Sequence, residues 1–215
     1  MGKMFRDRKS CLDAVKIDGS NLEYVPKKFR DHEICLAAVT SNGNMLELVP
    51  MKYRDREMCL AAVQDDSPNF ALENVPEVLR DREICLTAMK NGCGSLFLVP
   101  EEFRDREMCI AAVQGWGGAL EAVPETLRDR EMCLAAMKSR YGGGAPLQYV
   151  PEELRDKEIC MIAVKNNGAM LDFVSKKLRD KDICLAAVQN RGDALEYVPK
   201  ELQDNEILSA AAGDD

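Results

Sequence analysis

The ten residues RDREMCLAAV, beginning at Arg54, return at Arg104 as RDREMCIAAV and at Arg128 as RDREMCLAAM. Arg80 opens RDREICLTAM and Arg179 opens RDKDICLAAV. The cysteine inside each copy marks the period: it falls at 11, 35, 59, 85, 109, 133, 160 and 184. Successive differences are 24, 24, 26, 24, 24, 27 and 24. Self-similarity at a nearly fixed period is the signature of a repeat array, in which each unit buries the apolar face of its neighbours. Cuts at Val25, Val49, Val75, Val99, Val123, Val150, Val174 and Val198 make residues 1–215 a single array of about nine units, partial at both ends.

The consensus V-P-x-x-[FYL]-R-D-x-E-[IM]-C-L-A-A-[VM]-x-x-x-G-x-x-L reads as helical. Asp after Arg is an N-cap acceptor, and the acidic residue two places on suits the positive end of the helix dipole. The apolar run that follows, such as Ile84, Cys85, Leu86 and Met89, leaves little polar face, so the helix is expected to be covered on most sides. Glycine a few residues later, as at Gly43, Gly168 and Gly192, is expected to stop it. Leu22, Val25 and Phe29 have i, i+3, i+7 spacing, again helical. Proline inside that stretch is expected at the first position of a short helix, and Ser175 replaces it once. Each unit is thus one longer helix and one short or kinked one. The fold class that follows is all-α, an α-solenoid of short helical hairpins.

The chain carries a formal charge of -8, from 29 Lys+Arg and 37 Asp+Glu. An acidic surface disfavours nucleic acid and anionic lipid. No stretch approaches the ~20 apolar residues a membrane span needs. The opening MGKMFRDRKS lacks the apolar core of a secretory signal, and Arg6 stands where myristoylation wants Ser or Thr. The expectation is a cytoplasmic protein, with export without a cleaved signal as the alternative.

Nine cysteines invite a disulfide, metal or redox reading. Geometry opposes it. Stacked helices lie ~8–10 Å apart, while bridged cysteines need Cα atoms within roughly 4.4–6.8 Å. Zinc needs four converging ligands, and the single histidine, His32, is not repeated near the other cysteines. The periodic cysteines are therefore read as small buried hydrophobes. Leu208 takes the cysteine position in the last copy, which fits packing. No cofactor and no metal are expected. Cys93, in Asn-Gly-Cys-Gly, lies in a turn and is the candidate exposed thiol. His32, where other copies have Arg or Lys, is read as a surface residue.

A second column begins at Arg6-Asp7 and runs to Arg179-Asp180, with Gln203-Asp204 last. Each arginine either joins a stripe for a regularly spaced anion or bonds carboxylates or helix-end carbonyls of an adjoining repeat. The adjacent Asp and nearby Glu compensate its charge, which favours the structural ladder. The copies disagree most in the turn after the long helix: KIDG, TSNG, QDDSPN, KNGCG, QGWGG, KSRYGGG, KNNG and QNRG. Both length insertions fall there too. Insertions in solenoids map to one face, often the binding face. Trp116, Arg140, Tyr141 and Arg191 lie in these turns and are the candidate partner surface, since aromatic and arginine side chains anchor interfaces. The pairs after proline, among them Lys27-Lys28 and Glu101-Glu102, are read as a solvated face.

The stretch L-E-Y-V-P-x-E-L-R-D-x-E-I-C-L-A-A-V resembles a family of short helical repeats in bacterial and protist proteins, catalogued as a domain of unknown function. The resemblance covers nearly the whole chain. It implies an all-helical array and no activity. The family's usual form has an aliphatic residue at the cysteine and often Ser at the proline. No phosphate loop, dinucleotide fingerprint or nucleophile elbow is present. The reading is a non-enzymatic protein–protein interaction scaffold with a protein partner. The alternatives are a nucleic-acid-binding helical array and a thiol- or metal-dependent redox protein. Exposed solenoid ends also permit an end-to-end homodimer.

Overall fold

The computed structural model describes residues 5–65, 70–92, 94–139 and 147–213, and every regular element among them is helical. The α-helices are α1 (Arg8–Ile17), α2 (His32–Ser41), α3 (Arg56–Gln64), α4 (Ala71–Asn74), α5 (Arg82–Asn91), α6 (Arg106–Gly115), α7 (Arg130–Met137), α8 (Lys157–Asn166), α9 (Lys181–Asn190) and α10 (Asn205–Ala212). Short 3-10 helices join them.

The repeat Val25–Leu48 shows why the sequence folds this way. Asp31 has an extended backbone, and its carboxylate accepts the Ile34 N–H at 3.0 Å, closing the first turn of α2. Ile34, Cys35, Ala38 and Val39 are fully buried, while Leu36 and Ala37 are half-buried and Glu33 and Thr40 face outward. Covering a side chain the size of Ile34 contributes about 1.5–3 kcal/mol. The chain then enters a 3-10 helix, Gly43–Leu48, which adds buried Leu46.

Three expectations need correction. The segment after the α-helix is not one helix. Two 3-10 stretches, such as Gly19–Tyr24 and Lys27–Phe29, flank an extended Val25-Pro26 step, because proline biases the residue before it away from the α region. Leu22 and Val25 are buried and Phe29 is half-buried, so the spacing marked the apolar side correctly. Pro26 stands one residue ahead of the short helix, as its N-cap, and Ser175 takes the same place. Finally, Gly43, Gly168 and Gly192 do not cap helices; each opens a 3-10 helix. A Cβ built on Gly168 would lie 2.3 Å from the Ala187 carbonyl oxygen of the next α-helix. Close approach selects glycine there. Left-handed helix stops are made instead by Gly92, at φ 70°, and Gly213, at φ 74°.

The chain forms two compact units, Met1–Ala111 and Ala112–Asp215, with the border inside α6. In unit 1, α1 packs on α2, α2 on α3 and α3 on α5. In unit 2, α7 packs on α8, α8 on α9 and α9 on α10. The 3-10 segment that follows one helix also packs on the next: Gly19–Tyr24 lies on α2 and Gly43–Leu48 on α3. Each unit is a stack in which neighbours in sequence are neighbours in space, which makes the fold an all-α repeat solenoid.

Candidate functional site

Two ladders of cations run along the repeats at the N-terminal ends of the α-helices. Arg54 builds the first. It follows the 3-10 helix Met51–Tyr53 with φ -76° and ψ 68°, and its guanidinium meets backbone carbonyls. Its Nε donates to Val49 O at 2.9 Å and its Nη2 to Glu47 O at 2.9 Å. Nη1 donates to Asn74 O, at the far end of the same repeat, at 2.7 Å, whereas Glu47 belongs to the preceding repeat. Arg30, Arg128, Arg155 and Arg179 make the same three bonds. Gln203 keeps part of the pattern by donating to Val198 O at 3.0 Å. These carbonyls belong to segments that end without helical partners, so a charged donor offsets a desolvation cost. The column is the structural ladder rather than an anion stripe.

The second ladder uses the residue after Asp. Arg82 donates from Nη2 to Asp105, at 2.8 Å, and to Glu107, at 2.6 Å, both in the next repeat. Arg8 holds Asp31 and Glu33 likewise, and Arg56 holds Asp81 and Glu83. In unit 2, Arg130 holds Asp156 and Glu158, Lys157 holds Asp180 and Asp182, and Lys181 holds Asp204 and Glu206. The aspartates also cap their helices. The Met108 N–H, then Arg82, keep Asp105 below the usual carboxylate range. Lys157, then the Ile183 N–H, do the same for Asp180. His32 belongs to this ladder, with Nε2 2.7 Å from Asp55 and its ring edge-on to Tyr53. Of the two partners sequence reasoning offered the first column, carboxylates or helix-end carbonyls, the structure shows carbonyls; the carboxylate ladder on the second column, which the partly exposed His32 joins, was not anticipated. A signal was available: the position after Asp is basic in every copy from Arg8 to Lys181.

The periodic cysteines from Cys11 to Cys184 are free and buried. The Cys85 thiol donates to Arg80 O at 3.6 Å, and Cys109 and Cys160 do the same to Arg104 and Arg155. Burial pushes the thiols of Cys35, Cys59, Cys85, Cys109, Cys133, Cys160 and Cys184 up to about 11. A protonated, covered thiol is a poor nucleophile. Among the described residues no group of three or more His, Cys, Asp or Glu side chains is arranged to hold a metal ion.

Of the candidate partner surface, Trp116 and Arg191 are described, while Arg140, Tyr141 and Cys93 lie outside the described residues. The Trp116 side chain is 46% exposed and folds over Gly118, where an added Cβ would lie 2.4 Å from the ring. Arg191 pairs with Asp193 in its own turn at 2.5 Å. Each side chain is thus tied to its own turn. Ile17 and Phe70, at the same end of their repeats, are 85% and 68% exposed. Sequence reasoning passed over both because neither stands out in composition.

A covered thiol column and two cation ladders, set in stacked helix–3-10 repeats, define a helical repeat solenoid. The chain belongs to the family described as Domain of unknown function (DUF4116), whose model matches residues 7–54, 55–104, 105–155, 140–179 and 156–203. Each match spans about two repeats, and the R-D-x-E segment lies inside them. No curated protein and no solved structure matches the chain. No described helix is long and apolar enough to cross a membrane.

Proposed function

We propose that the protein is a non-enzymatic scaffold that binds protein partners through the turns at the C-terminal ends of its α-helices. The observation that carries this reading is a division of labour along each repeat. Caps, thiols and both ladders recur from copy to copy, whereas the turns differ. Several of the differing residues are large, apolar and exposed: Ile17 and Phe70 in unit 1 and Trp116 in unit 2. Exposed aromatics on a rigid frame bury contact area at small entropic cost.

The test is affinity capture with the full chain against three variants: Ile17→Asp, Phe70→Ala and Trp116→Ala. Circular dichroism first establishes that each variant melts as the parent does. The expected result is partners retained by the parent and lost selectively from one or more variants. A partner set unchanged by all three, and also by replacing the turns between Asn91 and Leu147 with Asn-Asn-Gly, refutes the turns as the binding surface.

A further inference from the structure

Unit 1 carries a strip whose charge reverses sign about its own middle. Four short 3-10 helices form its rungs: Lys27–Phe29, Met51–Tyr53, Glu77–Leu79 and Glu101–Phe103. They are stitched in order, because the arginine closing one rung donates to the carbonyl just ahead of the Val-Pro step that leads into the next rung: Arg30 to Leu48, Arg54 to Asn74, Arg80 to Leu98. The third residue of each rung is half-buried and the first two are exposed. Those pairs read Lys27-Lys28, Met51-Lys52, Glu77-Val78 and Glu101-Glu102. Their formal charges are +2, +1, -1 and -2.

At the point where the sign changes stand Met51, 64% exposed, and Val78, 92% exposed. An aliphatic side chain so fully in water at a position that is charged in most other copies calls for a cover. Lys28 Nζ lies 4.7 Å over the Phe29 ring and Lys52 Nζ 4.6 Å over the Tyr53 ring, which holds both ammoniums near their rungs. None of these six charged side chains forms an ion pair with another described residue.

We propose that this strip docks a second copy of the chain about a two-fold axis lying in the interface, between the second and third rungs. In a two-fold contact the same patch serves both copies, so it must complement itself on reversal. This one does. Reversal sets Lys27-Lys28 against Glu101-Glu102 twice. It sets the Met51-Lys52 rung against Glu77-Val78 twice, so that the two central rungs of each copy bring both apolar side chains and both signs of charge into one central patch. A parallel pairing would place like charges together. Unit 2 lacks this design. Its rungs begin Glu125-Thr126, Glu152-Glu153, Lys176-Lys177 and Lys200-Glu201, with charges -1, -2, +2 and 0. Its outer rungs do not pair on reversal, and no large apolar side chain sits at these positions. A contact made of charges alone loses most of its Coulomb gain to desolvation. The strip lies at the N-terminal ends of the α-helices, away from the turns proposed to bind partners. A contact of eight exposed side chains per copy, mostly charged, makes a weak, salt-sensitive dimer.

Sedimentation equilibrium of the full chain up to about 300 µM tests this. The expected result is a monomer–dimer equilibrium that weakens as salt rises. Lys27→Glu with Lys28→Glu, and separately Glu101→Lys with Glu102→Lys, each weaken association about tenfold or more. Mixing the two variants restores it, because both outer rung pairs are again opposite in sign. Val78→Asp weakens it too. Lys176→Glu with Lys177→Glu, in unit 2, leaves it unchanged. A parent chain that stays monomeric throughout overturns the proposal. So does a mixture that stays monomeric, or a dimer that the unit 1 reversals leave intact. Circular dichroism on every variant separates lost docking from lost folding.

Discussion

Unit 1 and unit 2 share one frame and close its seams with different cations. In unit 1, Arg8, Arg56 and Arg82 grip carboxylates of the next repeat, and His32 stands in for arginine once. In unit 2, Arg130 is followed by Lys157 and Lys181. The carbonyl-binding arginines, by contrast, are the same in both: Arg54 and Arg179 make identical sets of bonds. The carbonyl contact needs three donors held in a plane, which only guanidinium supplies. The carboxylate contact lies in solvent and asks only for positive charge. What the frame requires is therefore fixed, and what it merely tolerates is where the units diverge.

The largest expected effect separates the units by their thiols. An unfolded thiol ionises near 9, and the buried ones keep their proton to about 11. Between those values the folded chain holds protons that the unfolded chain has released. Stability is therefore intact below about 9 and falls as pH rises toward 11. Unit 1 buries Cys11, Cys35, Cys59, Cys85 and Cys109, whereas unit 2 buries Cys133, Cys160 and Cys184, and Leu208, at the same position of the last copy, is exposed rather than packed as its sequence position suggested. Alkaline melting followed by circular dichroism should run ahead of the signal from Trp116, which reports on unit 2 alone. Coincident transitions would break the comparison.

Removing a carbonyl clamp comes next. Arg54→Ala and Arg179→Ala should each cost about 3 kcal/mol, since three carbonyls lose a charged donor. Urea titration should find the two losses equal. Arg179→Gln should cost less, because Gln203 already performs part of this task. Gly19→Ala and Gly168→Ala form the third pair. Each adds a Cβ 2.3 Å from a carbonyl oxygen, Ala38 in one unit and Ala187 in the other. About 2 kcal/mol is expected in both, read from the same titration. The smallest effect is Lys157→Arg, which gives unit 2 the clamp of unit 1. It should raise the melting temperature only slightly, and the gain should vanish at about 0.5 M salt.

Much of this frame was legible in the residues. The cysteine period located the repeats, and Asp before the apolar run located the caps, because both depend on local chemistry. The partner surface was legible only as variation: Trp116 and Arg191 are placed, but each is committed to its own turn. Gly168 misled because glycine serves both a left-handed cap and a close approach, and only the neighbouring helix tells which. The two basic columns misled because they are adjacent in sequence. Arg54 sits in the bend after a 3-10 helix and folds back on carbonyls. Arg56 begins an α-helix and reaches forward to Asp81. Spacing cannot distinguish a side chain that turns back from one that reaches forward.

Arg54 holds Glu47 O of the preceding repeat together with Asn74 O at the end of its own, and Arg179 does the same with Asp172 and Tyr197, so every clamp of this kind is a bargain between adjacent copies. A repeat such as Val25–Leu48 offers on one side what it accepts on the other. A tandem duplication in the gene would therefore insert a module already fitted to both neighbours, and an in-frame loss would bring together two edges that still match. Such a chain can change length in evolution by whole repeats without inventing a single new contact.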